Sequence, residues 1–243
     1  LCEKPMERDS DRARALVETC ESAGVDLMVA YRMHTEPAVR RARELVEAGY
    51  VGEPMEVRGD MSQRLLDRVN PDPDQWRLDE ELAGGGALFD IGIYPLNTAR
   101  FLLDADPVAV TGRTASTHAA FDDVDETVSF TLEFPDDVYA ACYASDDARQ
   151  SSALTVTRTE GQVRVEPAFF QDQTRELHVS RGDGRASVEL SPVDQMREEF
   201  DYFADRVRGD AAIHPDGEHG LVDVVTMEAV YEAAADCTWV AVD

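Results

Sequence analysis

The chain has 243 residues and carries 23 basic against 50 acidic side chains, a formal net charge of −27. A surface this acidic repels phosphate backbones and anionic lipid, which argues against nucleic-acid and membrane-surface binding. With 43% hydrophobic residues there is material for a real core, in one large domain or two modest ones.

From Pro5 the pattern is helical, with Glu7 and Asp9 in the first turn, Ala13, Leu16, Val17 and Cys20 on one face, and a stop at Gly24. The apolar run Leu27 to Ala30 that follows reads as a strand covered on both faces, so helix and strand together form half of a parallel β-α-β unit. After Tyr31-Arg32-Met33-His34, Pro37 starts a helix bearing Val39, Ala42, Leu45 and Val46, which ends near Gly49. The character changes at Gly52. Strands are predicted over Pro54 to Gln63, Val108 to Ser116, Glu126 to Phe134, Val138 to Ala144, Ala153 to Arg158, Gln162 to Glu166, Thr174 to Val179 and Ala186 to Leu190. Turn signals at Pro135-Asp136-Asp137, Glu160-Gly161 and Gly182-Asp183-Gly184 make several of them hairpins. Leu88 to Leu103 is the clearest helix and is expected to lie across the sheet. Two more helices, Pro192 to Val207 capped by Ser191 and Gly220 to Ala235, precede a final strand over Trp239 to Val242. Met196, Phe200, Phe203 and Val207 are expected to face the core. The fold class is therefore mixed α/β and α+β: the tail of a doubly wound domain over residues 1–34, then a mostly antiparallel open sheet covered by helices over 35–243.

Among 23 basic residues only Lys4 is a lysine. A carboxylate-rich, lysine-poor surface suits concentrated salt, where the Debye length shrinks to about 3 Å at 1 M and self-repulsion is screened. A codon-driven preference for arginine is the alternative. Cys2, Cys20, Cys142 and Cys237 have neither a C-x-x-C nor zinc spacing, and are expected to be reduced and mostly buried. No apolar stretch approaches the ~20 residues of a membrane span and no signal peptide is visible, so a cytoplasmic location is expected. The chain opens inside what reads as the end of a strand, so upstream sequence is expected.

Two constellations carry the chemistry. Glu3-Lys4-Pro5 sits where a parallel strand ends, the position at which open α/β sheets bind ligands. A lysine there can hold a substrate hydroxyl or steady a neighbouring anion. The second is Gly84-Gly85-Gly86 followed by a helix on which Asp90, Tyr94 and Asn97 form one polar stripe. Three glycines before such a helix permit close backbone approach to a ligand; the alternative is a flexible loop and an Asp90 that merely pairs with an arginine. His214, Glu218 and His219 straddle a Pro-Asp-Gly turn, and no metal site is expected.

The Glu3-Lys4-Pro5 triplet, the segment Tyr31-Arg32-Met33-His34-Thr35-Glu36-Pro37, Trp76-Arg77, and the helix with Asp90 and Tyr94 after three glycines, in this order and spacing, resemble the Gfo/Idh/MocA oxidoreductases. The resemblance covers essentially the whole chain and is nearest to the glucose-fructose oxidoreductase and NADP-dependent D-xylose dehydrogenase branch. It implies a Rossmann domain followed by an α/β domain whose open sheet face builds homodimers or homotetramers, with NADP, or NAD, as cofactor. It implies hydride transfer from C1 of an aldose to nicotinamide, giving a lactone; another sugar, a polyol or a dihydrodiol is an alternative substrate, and a non-catalytic sugar-binding or oligomerisation module an alternative function. By the resemblance Tyr94 is the acid/base, Lys4 the cation beside it and Asp90 the residue that orients hydroxyls. Glu3, Lys4, Pro5, Trp76 and Arg77 are then expected at the cofactor, and Tyr31, Arg32, His34, Asp90 and Asn97 at the sugar. The departure is that no G-x-G-x-x-G occurs in these residues, so the dinucleotide fingerprint is expected upstream. On magnitudes, free tyrosine with a pKa of about 10 is mostly protonated at neutral pH, and one ammonium about 4 Å from a phenolate supplies roughly 4 kcal/mol at an effective dielectric of 20.

Overall fold

A computed structural model describes residues 1–209 and 211–242. Strand β1 (Cys2–Glu3) pairs in parallel with β2 (Val29–Ala30), Cys2 opposite Val29, through helix α1 (Ser10–Ala23). The helix starts later than the periodicity from Pro5 predicts. Asp9 is extended and its carboxylate accepts the Arg12 backbone N–H at 2.8 Å, so Asp9 is the N-cap and residues 5–8 form the turn before it. Gly24, in the left-handed region at φ 63°, closes the other end.

A 3-10 turn, Arg32–His34, leads into α2 (Pro37–Glu47), which buries Ala38, Val39, Ala42 and Val46. Strand β3 (Pro54–Arg64), the short α3 (Glu80–Ala83) and a π-helical turn over Leu88–Gly92 precede α4 (Ile93–Leu103). Next come β4 (Ala109–Ala115), β5 (Thr127–Phe134), β6 (Val138–Ser145), β7 (Asp147–Arg158), β8 (Gly161–Glu166), β9 (Arg175–Arg181) and β10 (Gly184–Leu190). Helices α5 (Gln195–Gly209) and α6 (Gly217–Asp236) and strand β11 (Val240–Ala241) end the chain.

Nine strands form one sheet in the order β10-β9-β8-β7-β3-β6-β5-β4-β11, with only the β3–β6 pair parallel. The three turn signals all join neighbouring antiparallel strands. Alternation holds along the middle strands: Val57 and Met61, Val128, Phe130 and Leu132, and Ala140, Cys142 and Ala144 turn to the helix-covered face and share one core with Leu88, Leu96 and Ala99. Gly59 of β3 lets α4 lie close on the sheet, since a Cβ there would meet Pro95 Cβ at 2.6 Å. The opposite face carries Tyr139 and Tyr143, both exposed.

Three further expectations are corrected. Strand β7 begins at Asp147, six residues before Ala153, because its first half pairs with the bulged end of β3. Asp194, not Ser191, caps α5, its carboxylate accepting the Arg197 N–H at 3.1 Å. Phe200 and Val207 are 61% and 49% exposed, and the residues α5 turns inward are Gln195 and Glu199, four apart on one face. All four cysteines are free thiols, although only Cys142 is buried. Among the described residues no helix is long and apolar enough to cross a membrane.

Candidate active site

A cavity of about 630 Å³ opens where the end of β1, the turn after β2, the end of β3 and the π-helical turn converge. Its polar lining includes Lys4, Arg32, Gln63, Arg77, Asp90 and Tyr94. Leu88, Phe89 and Ile91 of the π-helical turn are buried in the core, which leaves Asp90 as the polar member facing the cavity, and Tyr94 follows one turn later. Such widened turns are frequent at functional sites.

The three glycines serve the chain itself more than a ligand. Gly84 has φ 79°, and a Cβ on it would fall on the Arg8 backbone. A Cβ on Gly85 would overlap the Tyr231 ring, with Cζ at 2.8 Å, and one on Gly86 would strike the Asp125 backbone, with the carbonyl carbon at 2.9 Å. Asp125 in turn accepts the Gly86 and Leu88 N–H groups at 2.8 and 2.9 Å and the Tyr231 hydroxyl. The glycines therefore let α6 and the segment before β5 clamp the π-helical turn from behind. Burial raises the Asp125 carboxyl above its ordinary range, against the pull of the Tyr231, Gly86 and Leu88 donors.

Tyr94 lies between two cations. Arg32 donates its Nε–H to the Tyr94 hydroxyl at 2.9 Å, and its guanidinium carbon is 4.5 Å from the ring centre. Lys4 Nζ stands 4.6 Å from the same centre and donates to the Asp90 carbonyl. The expected neighbour of the phenol is thus present over its ring, while the group bonded to its oxygen is Arg32. Arg32 is itself buried and donates to Gln195 Oε1; Gln195 donates to Glu36, and Glu36 pairs with buried Arg175 at 3.4 Å. Arg175 donates to the Phe170 carbonyl at 2.6 Å, which ties this buried chain to another residue of the cavity wall. Glu199, beside Arg32 and Glu3, is pushed up to about 7 by burial and by Glu3.

The Asp90 carboxylate is held on both oxygens. Lys4 Nζ and Arg77 Nε stand 3.9 and 3.4 Å from Oδ1, and Gln63 Nε2 donates to Oδ2 at 3.3 Å. Gln63 also donates to buried Asp146 at 2.9 Å. Burial first, and then the Asp90 charge, push the Asp146 carboxyl up to about 7.

Of the residues expected from the sequence, Glu3, Lys4, Pro5, Arg32, Trp76, Arg77, Asp90 and Tyr94 line this one cavity. Tyr31, His34 and Asn97 do not. Asn97 is buried on the side of α4 that packs on α6 and the turn after β2, 2.8 Å from each of His34 Nε2, His219 Nε2 and Asp223 Oδ2. His34 stacks on Phe101, and Tyr31 is buried against His34 and His219. His34 Nε2 and Asn97 belong to a structural network that includes the Arg100–Asp223 pair at 2.6 Å. Asp90, Tyr94 and Asn97 lie along one helical run, but α6 and the turn after β2 cover Asn97, while the other two face the cavity. Gln63, Asp146 and Gln195 went unread: each is a common polar residue without a motif, and only the alternation around Gln63 in β3 carried a signal.

A nicotinamide coenzyme fits this lining in part. Lys4 and Pro5 present a cation and an apolar edge at the end of the parallel strand, and Trp76 is exposed at the mouth with the Arg77 guanidinium 4.5 Å from its ring centre. A glycine-rich phosphate cradle is not among these residues.

The family model of the GFO/IDH/MocA C-terminal domain matches residues 39–164. A D-xylose 1-dehydrogenase [NADP(+)] of Haloarcula marismortui is 55% identical over 96% of this chain, and the chain spans 65% of that protein's length. D-xylose 1-dehydrogenase (NADP(+)) 2 of Haloferax volcanii is 34% identical over 96% of this chain and 70% of its own length. Among solved structures, the aldose-aldose oxidoreductase from Caulobacter crescentus complexed with glycerol superimposes with a TM-score of 0.91 at 31% identity, over 99% of this chain and 71% of that one. On the match of the family model, these relatives and the shared fold, the chain belongs to the Gfo/Idh/MocA oxidoreductase family.

Proposed function

We propose that the protein is an NADP-dependent aldose 1-dehydrogenase that oxidises a pentose of the D-xylose class to its lactone. The observation that carries this reading is Tyr94 between Arg32 and Lys4 on the wall of a sugar-sized cavity, one helical turn from Asp90. The names of the Haloarcula and Haloferax relatives support the substrate and the choice of NADP.

Oxidising the C1 hydroxyl removes a hydride from carbon and a proton from oxygen. The nicotinamide ring, when bound, is the hydride acceptor. The proton passes to the Tyr94 oxygen, which acts as general base. Arg32 and Lys4 stabilise the phenolate that receives it, one by a direct hydrogen bond and the other by its charge over the ring. Asp90, held by Lys4, Arg77 and Gln63, has lone pairs left to accept a second sugar hydroxyl and so fixes which carbon meets the base. Glu3, Lys4, Pro5, Trp76 and Arg77 would flank the cofactor. The open face of the nine-stranded sheet, with Tyr139 and Tyr143 exposed, is the surface through which copies of the chain would associate. The acidic surface suits concentrated salt in the cytoplasm.

Reduced-nicotinamide formation by the full-length protein in concentrated KCl, with NADP or NAD and a panel of aldoses, tests the reading. Turnover with D-xylose that falls at least 100-fold in Tyr94→Phe is expected. Equal turnover in the variant removes Tyr94 from its role, and no turnover with any aldose removes the substrate class.

A further inference from the structure

Asp146 stands behind the cavity wall and reaches it through a single side chain. Gln63 Nε2 lies 2.9 Å from Asp146 Oδ1 and 3.3 Å from Asp90 Oδ2, so its two N–H groups bridge the carboxylates. The register of β3 against β7 shifts between Ser62 and Arg64, which puts Gln63 in a bulge. Alternation from Val57 through Met61 turns Gln63 to the helix-covered face, and its carboxamide lies along the cavity wall. Asp146 is anchored by its own backbone: its N–H donates to the Glu126 carbonyl at 2.9 Å and its carbonyl accepts the Leu65 N–H at 2.7 Å. Neighbouring Ser145 bonds Thr127 at 2.9 Å and accepts the Asp147 N–H at 3.3 Å. The carboxylate is thus a fixed point and the glutamine a lever between it and Asp90.

We propose that Asp146, acting through Gln63, is a positioning residue that sets Asp90 for sugar binding. This rests on the dehydrogenase reading above. A carboxylate can only accept, so ionised Asp146 forces the Gln63 amide to present its N–H groups rather than its carbonyl, and the second N–H then falls on Asp90. With a neutral partner only the longer bond to Asp90 favours that orientation: a carboxylic acid or an asparagine can donate to the Gln63 oxygen, and the amide can turn over and withdraw its N–H from Asp90. The charged groups facing Asp146 are Asp90 from the π-helical turn, Asp125 from the segment before β5, and Lys4 from the segment after β1. The two aspartates favour its neutral form and Lys4 the ionised one, and burial places its titration close to neutrality. Sugar affinity therefore weakens as pH falls through that range, while the proton transfer at Tyr94 does not pass through this bridge.

The test measures kcat and KM for D-xylose from pH 5.5 to 9, at saturating NADP, for full-length wild type, Asp146→Asn, Gln63→Met and the double variant. Calorimetric sugar binding is recorded alongside, as is an unfolding midpoint to establish that each variant folds. The wild-type KM is expected to rise about 5- to 10-fold towards acid pH. Asp146→Asn is expected to hold that acid-limb KM at every pH with kcat within about two-fold of wild type. Gln63→Met reaches the same end by removing the lever, and the double variant adds nothing further, as two members of one linkage require. A wild-type KM and pH profile in either folded single variant overturns the proposal, as do single effects that multiply in the double variant. A wild type that neither binds nor oxidises an aldose overturns the parent reading and this proposal with it, an outcome distinct from the others because it does not depend on the substitutions.

Discussion

Arg32 and Tyr94 meet twice, Nε–H on the phenol oxygen at 2.9 Å and the guanidinium carbon 4.5 Å from the ring centre. The first contact fixes the oxygen and the second the tilt of the ring. Charged hydrogen bonds are worth about 1.5–3 kcal/mol, so Arg32→Met is expected to lower kcat roughly 10- to 100-fold. Arg32→Lys should recover little, because an ammonium cannot serve Tyr94 and Gln195 from one planar fork. Steady-state kinetics beside an unfolding midpoint decide the matter: a lowered midpoint with intact kcat would make the arginine purely structural.

Behind the site, Gly86→Ala is expected to destabilise more than Gly85→Ala. The first puts a methyl group into the Asp125 backbone, which accepts the Ala87 N–H at 2.8 Å and has nowhere to go; the second meets the end of the Tyr231 side chain. Overpacking of this kind costs about 1–3 kcal/mol, read by urea unfolding, and Tyr231→Phe should soften only the Gly85 variant. Equal losses at the two positions would show that the clamp yields as a unit.

Most of the sheet was legible because its strands are half-buried and alternate, as Val128, Phe130 and Leu132 do. Helix ends were less so: Ser191 and Asp194 are both good caps, and which one acts depends on where Gln195 and Glu199 must point. The direct partner of Tyr94 was hidden because Lys4 and Arg32 both stand at ends of the small parallel sheet, and only the fold decides which reaches the phenol oxygen. Asp146 was beyond reach altogether. It is one of 28 aspartates and sits in a polar Ser-Asp-Asp step that reads as a turn, yet it is 2% exposed because β3 passes between β6 and β7.

His34, His214 and His219 pack with ring centres 4.9–5.4 Å apart, and burial lowers all three, helped by the other two histidines at His34, by Arg43 at His214, and by Arg100 and His214 at His219, which falls to about 2. The unfolded chain binds protons at these sites from about pH 6.5 downward while the folded chain does not, so their contribution to stability is lost as pH falls below that value. For buried His34 or His219 the loss is about 1.4 kcal/mol per pH unit. Asp146 and Glu199, both raised to about 7, act the other way: the folded chain keeps protons that the unfolded one releases above about pH 4, so their contribution is lost as pH rises towards 7. His219→Gln should flatten the fall in unfolding midpoint between pH 6.5 and 4.5; an unchanged slope would remove the histidines as its cause.

A net charge of −27 repels itself unless screened. Raising KCl from about 0.1 M to about 3 M is expected to raise the unfolding midpoint by roughly 5 °C or more, about 2 kcal/mol for a chain of this size. A flat midpoint across that range would leave the arginine bias without a role in salt.

Strands β6 and β7 follow one another in the chain but lie on opposite sides of β3, so the backbone must step across the end of that strand, and Asp146 is the one residue between them. With one residue between them, Ser145 and Asp147 can lie only about 7 Å apart, less than the roughly 10 Å that separates two strands flanking a third, so the crossing is drawn tight around the end of β3 with no slack. A residue inserted there would slip β7 against β3 and carry the carboxylate away from Gln63 in the same motion. The β9–β10 turn at Gly182 and Asp183, at the far edge of the sheet, offers the contrast: it can lengthen without disturbing the cavity. Length variation in descendants of this chain, natural or designed, is therefore expected to gather at that edge and to avoid the crossing.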